Sequence, residues 1–350
     1  MKKNLIILLI IQISSISLWS QSVKNSVVFS NEKSFEQFMT GINELVLKNE
    51  LDQAYSRLEQ AKEKSEDKIH LYRIFDKMAE LSARQKKYDR CKQILHEGLE
   101  KKFYFGLQRK MKRNEFYKPF KENNDKEFVQ LIVQDNILKK ELNEKNTLKY
   151  EILLPEKYNK SKNYPMIFIF HGGNCDIKIA KERWISAYLS KYYIRVFLQS
   201  SNYGISMLQY IWPQKNEKMN SELKDIFQNI IQKYSPDKTN IITAGMSNGG
   251  MMAIQAAFSQ IIPAKAFIGI CPIIPRDIKE ETVNDMRNKV QKAAIITGEN
   301  DYALKRQQKM IEMFKNTNFP HQFTIIPGMG HEFPQDIDAY IPKLIGFISQ

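Results

Sequence analysis

The sequence predicts an α/β protein: a doubly wound, mostly parallel sheet preceded by an all-α, helical-repeat-like domain. Three observations predict it. From Thr147 onward, short apolar runs alternate with helical segments, which is the pattern of successive βα units. Several runs are apolar throughout, as strands covered on both faces must be. Before about residue 140 the chain is rich in Lys, Glu, Leu and Gln and holds a single proline, Pro119. That composition favours helix.

The chain has 350 residues, 43% hydrophobic and 11% aromatic, which suits two folded domains and excludes a disordered chain. The formal charge of +14 is spread over both halves, as for solvated lysines; a nucleic-acid partner is not expected. Lys2 and Lys3 precede an apolar run, Leu5 to Ile11, and Ser17-Leu18-Trp19-Ser20 stands before Gln21. Residues 1–20 therefore read as a secretory signal peptide, which implies a periplasmic or extracellular protein. An uncleaved anchor is the alternative; no later stretch is long enough to span a membrane. Cys91, Cys175 and Cys271 are too few and too scattered for a disulfide framework or a zinc site.

Residues 31–140 form the expected helical domain. Leu51, Ala54, Leu58 and Ala61 recur, 37 residues on, as Tyr88, Cys91, Leu95 and Gly98. Alternating large and small residues at helical spacing let neighbouring helices approach closely, as stacked hairpins require. This resembles the second helix of tetratricopeptide repeats and suggests a surface for a protein partner. An ordinary amphipathic bundle is the competing reading. Residues 137–146 read as a charged connector, so the second domain is expected over 147–350.

In that domain the expected strands are Leu148–Pro155 (an edge strand, stopped by proline), Pro165–Phe170, Ile194–Gln199, Asn240–Ala244, Ala264–Cys271, Lys292–Thr297 and Gln322–Ile326. Helices are expected over Ile179–Lys191, Ser221–Tyr234, Met251–Gln260, Tyr302–Asn316 and Asp336–Ser349.

The chemistry-bearing stretch is Gly245-Met246-Ser247-Asn248-Gly249, a G-x-S-x-G between a strand and a helix. Such a turn holds the serine in a strained conformation, so its flanking residues must be nearly free of side chains. His171-Gly172-Gly173-Asn174 follows the first buried run. The N–H groups of Gly173 and Asn248 are the natural pair of oxyanion donors, and His171 reads as structural. Asp301, just past a strand end, is the expected orienting carboxylate, with Glu299 as the alternative. His331, late in the chain on a glycine-lined loop, is the expected base. Tyr203, Tyr210 and Trp212 lie in a loop after a strand end; they either face a substrate or pack the loop down. There is no metal-ligand spacing, phosphate-cradling loop or dinucleotide fingerprint, so neither metal nor cofactor is expected.

Residues from about 147 to 350, with nucleophile, acid and histidine in that order, resemble the α/β-hydrolase superfamily. The elbow is similar to those of polyhydroxybutyrate-depolymerase-like and feruloyl-esterase-like enzymes. Gly298…Asp301 and Gly330-His331 look more like the dienelactone-hydrolase and phospholipase/carboxylesterase branches. The resemblance implies serine hydrolysis through an acyl-enzyme without a cofactor. The expected substrate is a carboxylic ester, small or glycan-linked. Two other readings stand: a serine exopeptidase of prolyl-oligopeptidase type, and a non-catalytic protein that binds through its helices. The first usually carries a propeller where this chain is helical; the second has no need of an intact Ser, Asp and His.

Overall fold

The computed structural model describes Phe29, residues 31–234 and residues 236–350; the expected signal segment lies outside them. The chain divides into two compact units. One comprises residues up to Phe103 with Leu107–Gln134; the other comprises Tyr104–Gly106 with Asp135–Gln350.

The first unit is built from α1 (Glu32–Leu47), α2 (Leu51–Lys64), α3 (Lys68–Arg84), α4 (Tyr88–Glu100), the short α5 (Leu107–Arg113) and α6 (Lys118–Glu122), and the start of α7 (Lys126–Lys145). The 37-residue repeat is real in three dimensions. The turn joining α1 to α2 and the turn joining α3 to α4 place Asn49 and Lys86 in the left-handed region, at φ 61° and 59°. The next N–H closes each turn in the same way, Glu50 to Leu45 O at 2.8 Å and Lys87 to Ser82 O at 2.9 Å. Ala54, Leu58, Ala61, Cys91 and Leu95 are all fully buried, while the leading large residues, Leu51 and Tyr88, are partly exposed.

The expected connector over 137–146 is instead the second half of α7. Its Leu, Lys, Glu and Asn residues are as compatible with a solvated helix as with a linker. The division between units falls inside this helix, at Gln134 and Asp135.

The second unit is a seven-stranded sheet in the order β1-β3-β2-β4-β5-β6-β7. The strands are β1 (Lys149–Leu153), β2 (Met166–Phe170), β3 (Ile194–Gln199), β4 (Ile241–Met246), β5 (Ala266–Ile270), β6 (Lys292–Gly298) and β7 (His321–Ile326). β1 pairs antiparallel with β3 at one edge; the other neighbours are parallel. Helices cover both faces: α8 (Ile177–Arg183), α9 (Ala187–Tyr192) and α14 (Ile341–Ser349) on one, α10 (Glu217–Tyr234), α11 (Asn248–Phe258), α12 (Glu280–Met286) and α13 (Leu304–Asn316) on the other. β2 shows why a continuous apolar run was needed: Met166, Phe168 and Phe170 pack on one helical layer and Ile167 and Ile169 on the other. Each such side chain contributes about 1.5–3 kcal/mol by burial.

The expected helix 179–191 is two short helices, because Ser186 leaves helical geometry and caps the second, its Oγ accepting from the Leu189 N–H at 3.2 Å. The final helix starts at Ile341 rather than Asp336, which instead caps a single 3₁₀ turn over Ile337–Ala339.

Candidate active site

Four loops meet at the C-terminal edge of the sheet. The register fixes this: Phe170 of β2 lies opposite Gly245 of β4, Gly245 opposite Gly269 of β5, and Gly298 of β6 opposite Ile326 of β7. The segments that follow β2, β4, β6 and β7 therefore emerge side by side, where parallel sheets hold their sites.

Ser247 stands alone between β4 and α11, at φ 54° and ψ −117°. That conformation is costly for a residue with a Cβ, and three backbone bonds hold it. Ser247 N–H donates to Ile270 O at 2.9 Å, and its carbonyl accepts from Met251 at 3.0 Å and Ile273 at 3.0 Å. The expected need for glycine is literal. A Cβ on Gly245 would lie 2.3 Å from the Gly249 carbonyl, and one on Gly249 would lie 2.2 Å from His171 O. Helix α11 begins at Asn248, so its first N–H groups, which have no intrahelical partner, open beside the serine. Gly173 abuts this helix start: a Cβ there would sit 3.2 Å from the Asn248 Cβ.

The Ser247 hydroxyl donates to His331 Nε2 at 2.7 Å, and His331 Nδ1–H donates to Asp301 Oδ1 at 2.8 Å. The Asp301 side chain is fully buried yet accepts three further bonds: from Ala303 N–H at 2.8 Å, Thr297 Oγ1 at 3.0 Å and Gln307 Nε2 at 3.1 Å. Burial pushes its pKa up, but the Ala303, His331 and Gln307 bonds outweigh that and hold the carboxyl below its ordinary range. Glu299 does not reach the histidine; it is exposed and accepts from the Gly328 N–H at 3.0 Å.

His171 is 1% exposed and structural, as expected. Its Nδ1 donates to Gly172 O at 2.6 Å and its Nε2 accepts from Ser200 N–H at 3.2 Å. This neutral tautomer fits a pKa that burial lowers to about 4.

The aromatic loop divides. Tyr203 and Tyr210 are half-buried and stacked, with ring centres 5.2 Å apart, and Asn174 N–H donates to Tyr210 O at 2.8 Å, which ties them beside Gly173. Trp212 corrects the expectation of a substrate-facing ring. It is 1% exposed, its Nε1–H donates to His171 O at 2.9 Å, and it packs edge-on against Phe170. A buried indole finds a partner for its N–H and fills core volume.

Sequence reasoning missed four contributors. The Asn248 side chain bonds both backbone polar groups of Trp212, accepting from its N–H at 2.6 Å and donating to its carbonyl at 2.9 Å. Thr297 and Gln307 hold Asp301. Tyr302 lies against His331, ring centres 4.3 Å apart, with its hydroxyl 3.3 Å from Nε2. Of these only Gln307 had a sequence signal: it occupies the apolar face of α13 with Met310, Ile311 and Phe314, where a polar residue demands a reason.

Cys271, at φ 43°, brings its Sγ to the same place, and donor atoms of Cys271, Asp301 and His331 lie within 4.8 Å of one another. Burial, reinforced by the Asp301 charge, pushes the thiol up to about 11, and Sγ lies within donating distance of Glu332 O at 3.4 Å and Gly330 O at 3.8 Å. The Asp301 oxygens in this cluster are already taken up by hydrogen bonds from Ala303, Thr297, Gln307 and His331.

A model of the dienelactone hydrolase family matches residues 168–343, just over half of the chain. No curated protein matches. Among solved structures, an uncharacterized protein from Bacillus cereus is 19% identical, with 89% of this chain and 97% of that one covered and a TM-score of 0.48. A ferulic acid esterase is 17% identical, with coverage of 58% and 92% and a TM-score of 0.46. A feruloyl esterase module from Clostridium thermocellum is 14% identical, with coverage of 58% and 87% and a TM-score of 0.44. Since the elbow, the acid loop and the histidine loop all fall within residues 168–343, the chain belongs to the dienelactone hydrolase family and is a carboxylic-ester-cleaving serine hydrolase of α/β-hydrolase fold.

Proposed function

We propose that the protein is an exported esterase that works through a Ser247-His331-Asp301 triad and an acyl-enzyme. The observation that carries this reading is the continuous chain of short bonds from Ser247 Oγ through the His331 ring to Asp301. Ser247 Oγ attacks the ester carbonyl carbon while His331 Nε2 takes its proton. The Gly173 and Asn248 N–H groups receive the negative oxygen. His331 then returns the proton to the alcohol oxygen as that C–O bond breaks. Water repeats the sequence on the acyl-enzyme, releasing the acid and restoring Ser247. Asp301 keeps the histidine in the Nδ1–H tautomer and stabilises its cation. The substrate is a small or glycan-linked ester, with Tyr203 and Tyr210 at the oxyanion end of the site. Export rests on the signal-like residues 1–20, and among the described residues no helix is long and apolar enough to cross a membrane.

The test is labelling by a fluorophosphonate, followed by hydrolysis of p-nitrophenyl, feruloyl and acetylated-sugar esters against aminoacyl amides. The wild type should take up the probe and Ser247→Ala should not. A folded wild type that resists the probe would sink the proposal.

A further inference from the structure

The triad requires nothing of Tyr302, yet this ring occupies a position that chemistry assigns to the substrate. It is 73% exposed, an unusual exposure for a large aromatic side chain. The residues on either side of it are anchored. Buried Asp301 precedes it and buried Ala303 follows, and Ala303 and Leu304 donate to Asp301 Oδ1 at 2.8 Å and Asp301 O at 3.0 Å. The ring lies over His331, and its hydroxyl reaches Nε2 at 3.3 Å beside the Ser247 contact at 2.7 Å. Nε2 has one lone pair, so the two hydroxyls compete for it, and the tyrosine holds the longer, weaker place.

In ester cleavage, the oxygen that receives the proton from Nε2 is that of the departing alcohol. The body of that alcohol must then lie beside Nε2, next to the Tyr302 ring. Tyr203 and Tyr210, by contrast, are tied to Asn174 and so lie by the proposed oxyanion donor Gly173.

We propose that Tyr302 is the alcohol-side binding platform of this enzyme, and that it selects esters whose alcohol carries an aromatic ring. The inference rests on the esterase reading above and specifies its substrate. Stacking against an exposed tyrosine is worth about 0.5–1.5 kcal/mol, or roughly two- to tenfold in selectivity.

The experiment compares kcat/KM for benzyl acetate and ethyl acetate in the wild type, Tyr302→Ala and Tyr302→Phe. The acyl group is constant, and the intrinsic reactivity of each ester cancels when variants are compared. In Tyr302→Ala the benzyl-to-ethyl ratio should fall about threefold or more, while Tyr302→Phe, which retains the ring, should hold the wild-type ratio. Equal losses on both esters would make the ring a support for His331 and overturn the inference, as would an unchanged ratio. Fluorophosphonate labelling of the same samples separates the two levels: an unlabelled wild type refutes the esterase reading itself, whereas a labelled protein with an unchanged ratio refutes only the role of Tyr302.

Discussion

Asp301 shows how much of a site is readable one residue at a time. Its place after a strand end and ahead of His331 was legible, and it was preferred to Glu299 on position alone. Its buried partners were harder to assign: Thr297 belongs to a buried strand, and Gln307, though polar on an apolar helix face, does not reveal which group it serves. Only folding brings both to the same carboxylate. His171 carries the clearest pH consequence. Its folded pKa, about 4, lies below the ordinary 6.5. The unfolded chain therefore binds a proton that the folded protein refuses. The stability this group contributes is complete above pH 6.5 and is lost as pH falls from 6.5 toward 4. The share amounts to roughly 3 kcal/mol. Asp301, with its depressed pKa, acts in the same direction at lower pH. Urea titrations at pH 7, 6, 5 and 4 should show His171→Gln, which can still accept from Ser200, with a flatter decline than the wild type.

At the scale of elements, all seven strands were visible in the sequence: the five inner ones, β2 to β6, as apolar runs that burial on both faces requires, and the two edge strands β1 and β7, which are only partly covered, by alternation and by their place between turns and helices. The helices were less so. A helix that ends at a single capping serine, as at Ser186, gives no break in apolar periodicity, and α7 hid within a composition that reads equally as a linker. The loop after β3 is held in part by a side chain of another element. Asn248 clamps it through two bonds to Trp212, while Ser200 Oγ–H donates to Ile211 O at 2.7 Å. Asn248→Ala should leave the serine and its histidine in place but free the loop. We expect kcat/KM to drop about tenfold or more, with a loss of about 1–3 kcal/mol in unfolding free energy for the unpaired groups at Trp212. Paired kinetics and thermal melts would measure the two effects.

At the scale of the molecule, residues ahead of the expected boundary near 147 reach the loop after β3. Tyr104 hydroxyl and Lys139 Nζ both donate to Gly204 O, at 3.1 and 2.7 Å, and Asn143 Oδ1 accepts from the Tyr203 N–H at 2.8 Å. Lys218 Nζ also donates to the carbonyls of Asn143, Glu144 and Asn146, at 3.2, 2.7 and 2.5 Å. The loop that bears Tyr203 and Tyr210 is thus braced by residues that precede the sheet. A protein starting at Thr147 would keep the Ser-His-Asp bonds and lose these braces. It should still take up a fluorophosphonate, with kcat/KM on larger esters well below that of the full chain. Equal kinetics for the two would show that the braces are dispensable. Long-range partnerships of this kind, 60 to 100 residues apart, leave no local pattern to read.

The left-handed backbone of Ser247 has a consequence for how the protein balances its competing demands. A glycine would accept φ 54° without penalty, so the residue placed there for reactivity is one that folding alone would reject. Ser247→Gly should therefore melt higher than the wild type, by about 1–3 kcal/mol of relieved strain less the entropy glycine loses on folding, while being inert toward esters. Durability and turnover compete at this position, and any lineage released from the need to cleave esters could gain robustness here by a single substitution.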